Sequence, residues 1–560
     1  MPFGKALRLL HTARHLRPIQ VYWRLWLKLA ARLPHPMSGE PPRPVEHFGL
    51  TAVPTKPKSN LGGSSFRFLN REVDFGARID WNAPEEAKLW LYNLHYFDFA
   101  NLAGANPAAI LALMEDWIEH NPPGRGNGWE PYPTSLRLVN WIKFFAATDI
   151  APSDSVLQSL HRQAWQLRHR LEYHLLGNHL FKNGVALVYA GSWFTGATGD
   201  EWLDKGVEIV DGQLREQVLP DGGHFERSPM YHTIVLEDLL DAINVGQTTG
   251  RVAPAVLADW CRTACAMTTF LRDTLHMDGE IAFFNDSALG IATPPAQLLA
   301  YAERLGIPTV VATVTESAGL TATAKPQFGL YALDLPGGRM LIDAGPIGPD
   351  YLPGHAHCDT LSYEVSIAGR RVLVNSGTFQ YAGDRRNEFR ATAAHNTVRV
   401  DGTEQHEIWS TFRVARRGYP MDIRLESVRD GWQFQASHSG YRRLTGNPVH
   451  RRQVHLTGTG WTVCDTVEGS GTHRIEVFIH LHPDFKPQFL TDGSVELIID
   501  TYRLRIAADR NCTFRQEAYE YSPEFGALRP ASRLLLALEG TLPITIGHSI
   551  QLNACAEPEI

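Results

Sequence analysis

The hydrophobic period of this chain changes once, and that change limits the fold more than any other feature. From about residue 86 to 306, apolar side chains recur at three- and four-residue spacing. The clearest runs are "AAILALMEDWIEH", "TSLRLVNWIKFFAAT", "SDSVLQSLHRQAWQLRHRLEYHLL", "VLEDLLDAINVGQTTG" and "APAVLADWCRTACAMTTFLRDTL". Such spacing lays an apolar stripe along each helix, and the stripe must be buried against a neighbour. Successive helices without intervening strands predict a bundle, a solenoid or an α/α toroid. After "TATAKPQ" the period falls to two, as in "FGLYALDL", "LSYEVSIAG", "WQFQASHSG", "RRQVHLTGTG", "HRIEVFIHLH" and "SRLLLALEG". Short alternating strands parted by Gly, Asn and Asp predict a large antiparallel sandwich.

At 560 residues the chain exceeds what one hydrophobic core serves, so a multidomain α+β protein is expected. A net charge of −7 argues against a nucleic-acid partner and leaves room for a local basic cleft. Cys261, Cys265, Cys358, Cys464, Cys512 and Cys555 form no CxxC pair, so neither a disulfide framework nor a zinc finger is expected. "MPFGKALRLLHTARHLRPIQVYWRLWLKLAARLPHP" lacks the apolar run and small-residue cleavage site of a standard signal peptide. No later run approaches a transmembrane span. A cytoplasmic location is the expectation, with periplasmic or membrane-associated placement as alternatives. The basic amphipathic start is expected to dock on its own protein; peripheral contact of this helix with a membrane stays open. Residues 35–64 read as an extended connection and "SSFRFLNREVDFG" as a hairpin, giving an N-terminal region over residues 1–85. Nothing in the sequence fixes the oligomeric state.

Three polar stretches in the helical half are candidates for chemistry. "NPPGRGNGWEPYPTSLR" carries Trp129, Tyr132 and Arg137, a set suited to stacking on a sugar ring or to stapling a helix start. "LLGNHLFKNG" reads as a turn after an apolar helix, with Asn178, His179, Lys182 and Asn183 either in a site or capping. "PDGGHFERSPMYHTIVLEDLL" puts His224, Glu226 and Arg227 ahead of a helix that opens near Tyr231 and His232. A tyrosine beside arginine and histidine can have its pKa lowered enough to act as a base. In the β half, "GHAHCDTLSYEVSIAGRRVLVNSGTFQYAGDRRNEFRATAAHNTV" spans residues 354–398. His355 and His357 share one strand face, as metal ligands, as acid–base groups or as neither. Asn285, Asp286 and Ser287 in "FFNDSALG" either line the cleft or cap the next helix, with capping the expectation, and His480 and His482 read as one face of a strand.

"GNHLFKNG", "GGHFERSPMYH" and "GHAHCDTLSYEVSIAGRRVLVNSG…HNTV" occur in this order across the change of period. Together they resemble the heparinase II/III-like polysaccharide lyases, bacterial enzymes included, over most of residues 80–540. The resemblance implies an α/α toroid, an incomplete barrel, over residues 86–320 and a β-sandwich over residues 325–560. It also implies a carbon–oxygen lyase that opens a uronic-acid-containing anionic polysaccharide by β-elimination, with exopolysaccharide or capsule metabolism as its expected setting. The C5 proton of a uronic acid leaves only if the adjacent carboxylate is neutralised and the developing enolate stabilised. By resemblance Asn178 and His179 are the neutralising pair, Tyr231 is the catalytic tyrosine and His355 faces the cleft from the sandwich. Tyr381 lies where some members place a second tyrosine. Trp129, Tyr132, Arg137, Arg227, Tyr381, Arg385 and Arg386 are the expected substrate contacts, with Arg390 beside them; a solvated loop is the other reading of Arg385, Arg386 and Arg390. His357 and His395 correspond to a structural metal pair, often zinc; no other cofactor is expected. The carboxylate of that pattern is replaced here by Asn375, which weakens a zinc site, and Asp359 on the His355 face is the candidate replacement. Two other readings stand beside this one. A toroid glycoside hydrolase would draw a carboxylate pair from Glu130, Glu226 and Asp286. A non-catalytic polysaccharide-binding or assembly protein would keep the cleft and lack turnover.

Overall fold

The computed structural model describes residues 2–30, 43–148, 150–310, 315–509 and 512–554. Helices α1 (Pro2–Ala13) and α2 (Pro18–Ala30) come first, followed by a small sheet of Asn60–Gly62, Ser65–Phe68 and Arg71–Asp74. Leu69 and Asn70 form its second turn with φ of 54° and 58°. Positive φ at both central residues makes a two-residue hairpin whose twist matches its strands, and it holds Phe66 opposite Val73.

The helical half contains α3 (Lys88–Tyr96), α4 (Pro107–His120), α5 (Pro131–Ala147), α6 (Asp154–His169), α7 (Gly177–Trp193), α8 (Gly196–Gln217), α9 (Pro229–Thr249), α10 (Pro254–Asp273) and α11 (Pro295–Arg304). Start and stop signals are explicit for α9: Ser228 caps the Tyr231 N–H, Pro229 takes the first helical position, and Gly250 ends the helix at φ 65°. Helices α7 and α9 are buried along nearly their whole length and form the inner layer of an α/α toroid. Close approach of α7 to α8 depends on glycine. A Cβ on Gly191 would stand 2.3 Å from Leu203 N, and one on Gly206 would stand 2.6 Å from Val188 N. Buried ion pairs stitch the inner layer: Lys143 to Asp241, Lys182 to Asp238 and Lys56 to Glu237. Charges this deep stay only when paired.

The "GNHLFKNG" stretch is not a turn, as the sequence suggests, but the first two turns of α7, and the preceding helix stops at His169. Leu176 and Gly177, at φ 66° and 57°, break the chain between them.

The second half is an antiparallel sandwich. A six-stranded sheet runs in chain order from Thr315–Ser317 to Arg370–Leu373, facing sheets of eight and four strands. The indoles of Trp432 and Trp461 cross the layers to the carbonyls of Leu320 and Leu333, both at 3.1 Å, and Tyr331 packs on Phe434. Cys261, Cys265, Cys358, Cys464 and Cys512 are free thiols; Cys555 lies outside the described residues, as does the part of the connection within residues 31–42. The halves are joined by the segment after α10. His276 bonds Glu364 at 2.8 Å, Asp278 bonds Arg371 at 2.7 Å, and Phe270 packs on Phe328 at 4.8 Å.

Candidate active site

Where that segment turns back between the halves it places Asp286, the central carboxylate of the junction. Asn285, at φ 54°, adopts a left-handed conformation that asparagine tolerates. This aims the Asn285 N–H at Asp359 Oδ2 (2.6 Å) and the Asp286 N–H at the His355 carbonyl (3.0 Å). Asp286 takes both arms of the Arg386 guanidinium and accepts from His355 Nδ1 at 2.9 Å and His357 Nε2 at 2.8 Å. Burial alone would raise this carboxyl; Arg386 and the two imidazoles hold it well below the usual carboxylate range. An ionised acceptor fixes both tautomers, so protons sit on His355 Nδ1 and His357 Nε2.

The His355 ring lies against Tyr231, with centroids 3.8 Å apart, and its Nε2 is 3.3 Å from Glu226 Oε2. Ser228 ties this arrangement together. Its hydroxyl caps the Tyr231 N–H at 3.2 Å and donates to the Asp286 carbonyl at 2.5 Å. Tyr231 Oη stands 3.0 Å from Tyr381 Oη. Burial, with Tyr381 beside Tyr231 and Asp286 near Tyr381, pushes both phenols well above their ordinary range, the reverse of the lowering that the sequence suggests for Tyr231, so both carry their protons and one donates to the other.

The start of α7 forms the third wall. A Cβ on Gly177 would fall 2.3 Å from Leu352 Cδ2 and 2.7 Å from Glu226 Oε1, so only glycine lets Glu226 reach the helix end. There Glu226 accepts from the Asn178 N–H at 3.1 Å and from Asn178 Nδ2 at 2.9 Å. One carboxylate therefore links Asn178 to His355. His179 Nδ1 meets Glu172 Oε1 at 3.1 Å, and Asn183 holds the other oxygen of Glu172 at 3.0 Å. Burial alone would lower the His179 imidazole, but Glu172 more than offsets this and holds it above its ordinary value. Tyr132 packs on His179 at 4.4 Å.

Several expected substrate contacts are placed elsewhere. Trp129 is buried against Trp117 and donates to the Asn121 carbonyl, so it staples the core instead of stacking on a sugar. Arg137 is fully buried, 3.8 Å over Trp117 and bonded to Gln163. Arg227 donates to the carbonyls of Gln327 and Phe328 and fastens the seam between the halves. Arg385 pairs with Glu388 and Glu520 on the outside, Arg386 is consumed by Asp286, and Arg390 holds the carbonyls of Ala356, Ser410 and Thr411. Each guanidinium has found protein acceptors. Asp286, read from sequence as a cap, is the hub. Phe412 carried no sequence signal. It is 47% exposed at the tip of the hairpin formed by Ile408–Ser410 and Arg413–Val414, with its ring 5.7 Å from Tyr381 and 6.4 Å from His355.

Below the cleft, His357 Nδ1 and His395 Nε2 face each other at 3.1 Å. His357 gives its other proton to Asp286, and His395 Nδ1 bonds the Ala391 carbonyl at 2.8 Å. Burial pushes His357 down to about 4 and His395 well below its ordinary value, so both rings are neutral and two lone pairs point at one another. Asp359 completes a group whose ligand atoms lie within 4.8 Å of one another. Burial pushes its carboxyl up to about 7, a rise that a cation would reverse. Two nitrogens on one tetrahedral zinc stand roughly 3.3 Å apart, so the donor set fits that ion. Asn375 is turned away; it bonds the Phe283 carbonyl, Ser362 Oγ and the Asn396 N–H.

Comparison with known proteins gives matches along both halves. The model for the heparinase II/III N-terminus matches residues 67–298, and that for the heparinase II/III-like C-terminal region matches residues 319–549. The chain is 26% identical over 505 residues to FtsZ-localized protein C of Caulobacter vibrioides, covering 84% of this chain and 82% of that protein. It is 24% identical over 384 residues to a heparin-sulfate lyase of Bacteroides stercoris, which spans 61% of this chain and about half (52%) of that enzyme. Among solved structures, heparinase III superposes with a TM-score of 0.65 at 17% identity, over 85% of this chain and 80% of that one. Heparan sulfate lyase HepC of Pedobacter heparinus gives 0.54 at 18% identity, over 88% and 82%.

Proposed function

The chain belongs to the heparinase II/III-like family of polysaccharide lyases, and on that footing we propose that it cleaves a uronic-acid-containing anionic polysaccharide by β-elimination. One observation carries the reading: Asn178, His179, Tyr231, Tyr381 and His355, from both halves, converge on one opening, and no carboxylate among them is left for hydrolysis. A hydrolase needs two available carboxyls flanking the bond. Glu226 and Asp286 are buried and clamp His355 from either side, while Glu130 is tied to Lys88 and Tyr92.

In elimination, His179, whose charged form Glu172 favours, neutralises the sugar carboxylate together with the Asn178 amide, and C5 becomes acidic enough to react. With both phenols protonated, Tyr231 Oη takes the C5 proton as its own proton passes to Tyr381 Oη, and Tyr381 Oη gives its proton to the departing glycosidic oxygen, so the pair ends with the two protons it began with. His355, fixed by Asp286 and Glu226, lies against Tyr231 and stabilises the charge passing through the phenol. The test is ultraviolet absorbance of the product double bond over a panel of heparan-type, alginate, hyaluronan and bacterial exopolysaccharides, beside Tyr231→Phe. A rising signal that the variant lacks supports elimination and names the substrate; reducing ends released without absorbance would mean hydrolysis.

We further propose that His357, His395 and Asp359 hold a zinc ion, with Asp359 in place of the carboxylate that Asn375 does not supply. Such an ion would tie the loop ahead of Tyr363–Ile367 to the turn ahead of Val398–Val400 beneath His355, a structural role. Metal analysis of the purified protein tests this, with one zinc per chain expected and none in His357→Ala.

A second reading, a non-catalytic polysaccharide-binding or assembly protein, draws on the span of the match to FtsZ-localized protein C, whose name carries no catalytic activity. Retained affinity for a polysaccharide with no product from any member of the panel would decide for it.

A further inference from the structure

We propose that α1 and α2 seat this protein on an anionic lipid surface. The two helices dock by narrow faces. In α2, Gln20 is buried and Trp23 stacks on Tyr173 at 5.0 Å; in α1, Thr12 reaches the Val414 carbonyl at 3.4 Å and accepts from the Trp409 indole at 3.1 Å. A helix on a globular protein ordinarily turns its apolar stripe inward. Here the stripe is turned out. Val21, Tyr22, Leu25 and Leu29 lie on the side of α2 away from Gln20 and Trp23, with Ile19 and Trp26 flanking the docked face, and all six are 39–60% exposed. Leu7, Leu9 and Leu10 of α1 are exposed as well. Nine of the seventeen exposed large hydrophobic side chains among the described residues lie in this one pair of helices.

Charge identifies what covers the face. Residues 2–30 contain Lys5, Arg8, Arg14, Arg17, Arg24 and Lys28 and no Asp or Glu, although the whole chain is at −7. Arg8 and Arg17 are paired with Glu407 and Glu216. Lys5, Arg14, Arg24 and Lys28 make no ion pair with a carboxylate among the described residues. A second copy on this face would bring the same cations against these and repel. An anionic bilayer offers acyl depth to the leucines and negative headgroups to the lysines and arginines. The stacked rings of Tyr22 and Trp26, 6.5 Å apart, suit the headgroup boundary. No helix among the described residues is long and apolar enough to cross a membrane, so the helices would lie in its surface. Through Thr12 and Trp409 they also brace the hairpin that carries Phe412, which would bring the cleft mouth beside that surface.

The experiment is sedimentation of the full chain with phosphatidylcholine vesicles and with vesicles containing phosphatidylglycerol, at low and high salt. Wild type is expected to pellet with the anionic vesicles, less so as salt rises, and weakly with the neutral ones. Leu25→Glu/Leu29→Glu, at exposed positions, should lose this binding by about tenfold or more while its melting temperature and lyase activity on a soluble polymer hold. Lys5→Gln/Lys28→Gln should weaken only the anionic-vesicle binding. Failure to pellet with either vesicle, or undiminished binding of the leucine variant, would overturn the proposal. So would a wild-type dimer that the leucine variant dissolves and that ignores vesicles, because a second copy would then cover the face.

Discussion

The hydroxyls of Tyr231 and Tyr381 stand 3.0 Å apart, although one opens α9 and the other lies in the loop after the six-stranded sheet. Neither half of the molecule contains this hydroxyl pair alone. Two phenols joined in this way let one oxygen receive a proton while the other gives one up. Tyr231→Phe should lower kcat on the identified polysaccharide by roughly 10²–10⁴-fold, the span for a lost general acid–base group. Tyr381→Phe should cost less, because Tyr231 keeps its place against His355. Equal losses in the two variants would mean that the pair acts as one unit.

Asp286 carries more of the site than any other residue, since it holds Arg386, His355 and His357 at once. Asp286→Asn leaves a buried guanidinium without its counter-charge. Breaking a buried pair from one side costs about 3–5 kcal/mol. The expected result is a lower melting temperature together with a fall in kcat, because His355 also loses the acceptor that sets its tautomer. Thermal unfolding and steady-state rates on one preparation check both. Full stability in the variant would remove Asp286 from its place at the centre of the junction.

His179 gives the site a pH dependence whose sign can be worked out. Glu172 raises the imidazole above 6.5, so charge and its contribution are fully present below that pH and are lost as pH rises through the raised value. If charged His179 neutralises the substrate carboxylate, kcat/KM should fall on the alkaline side of 6.5. Glu172→Gln should move that limb to lower pH. Tyr231 and Tyr381 titrate far above this range and cannot supply the limb. A pH profile unmoved by Glu172→Gln would assign it to another group.

The two halves were legible because period is a local property: helix and strand spacing each survive in a short window. The site was legible only in part. Asn178, His179, Tyr231 and His355 sit in motifs whose order could be read from the chain. Asp286 and Glu226 act through partners far away in sequence, at His355 and Arg386 and at Asn178 and His355, and no spacing rule reaches that far. The arginines misled for the opposite reason. Guanidiniums near a motif look like anion binders, yet Arg137, Arg227, Arg386 and Arg390 had already found acceptors in the protein. Gly177 shows the same limit from the backbone side, since its need for glycine comes from Leu352 and Glu226 closing on it.

Phe412 is the side chain that the fold alone brings to the cleft. It is half-exposed beside Tyr381 and His355, on a hairpin that Thr12 and Trp409 brace from outside. An aromatic ring so placed offers its face to the apolar side of a sugar, and such contacts are worth about 1 kcal/mol beyond area burial. Phe412→Ala should therefore raise KM by roughly fivefold with kcat changed much less, since the ring binds ground state and transition state alike. Phe412→Tyr should restore most of the loss. A fall in kcat with KM unchanged would instead mean that Phe412 steadies Tyr381 and His355 and does not touch the polymer, and the rescue by tyrosine would then report packing alone.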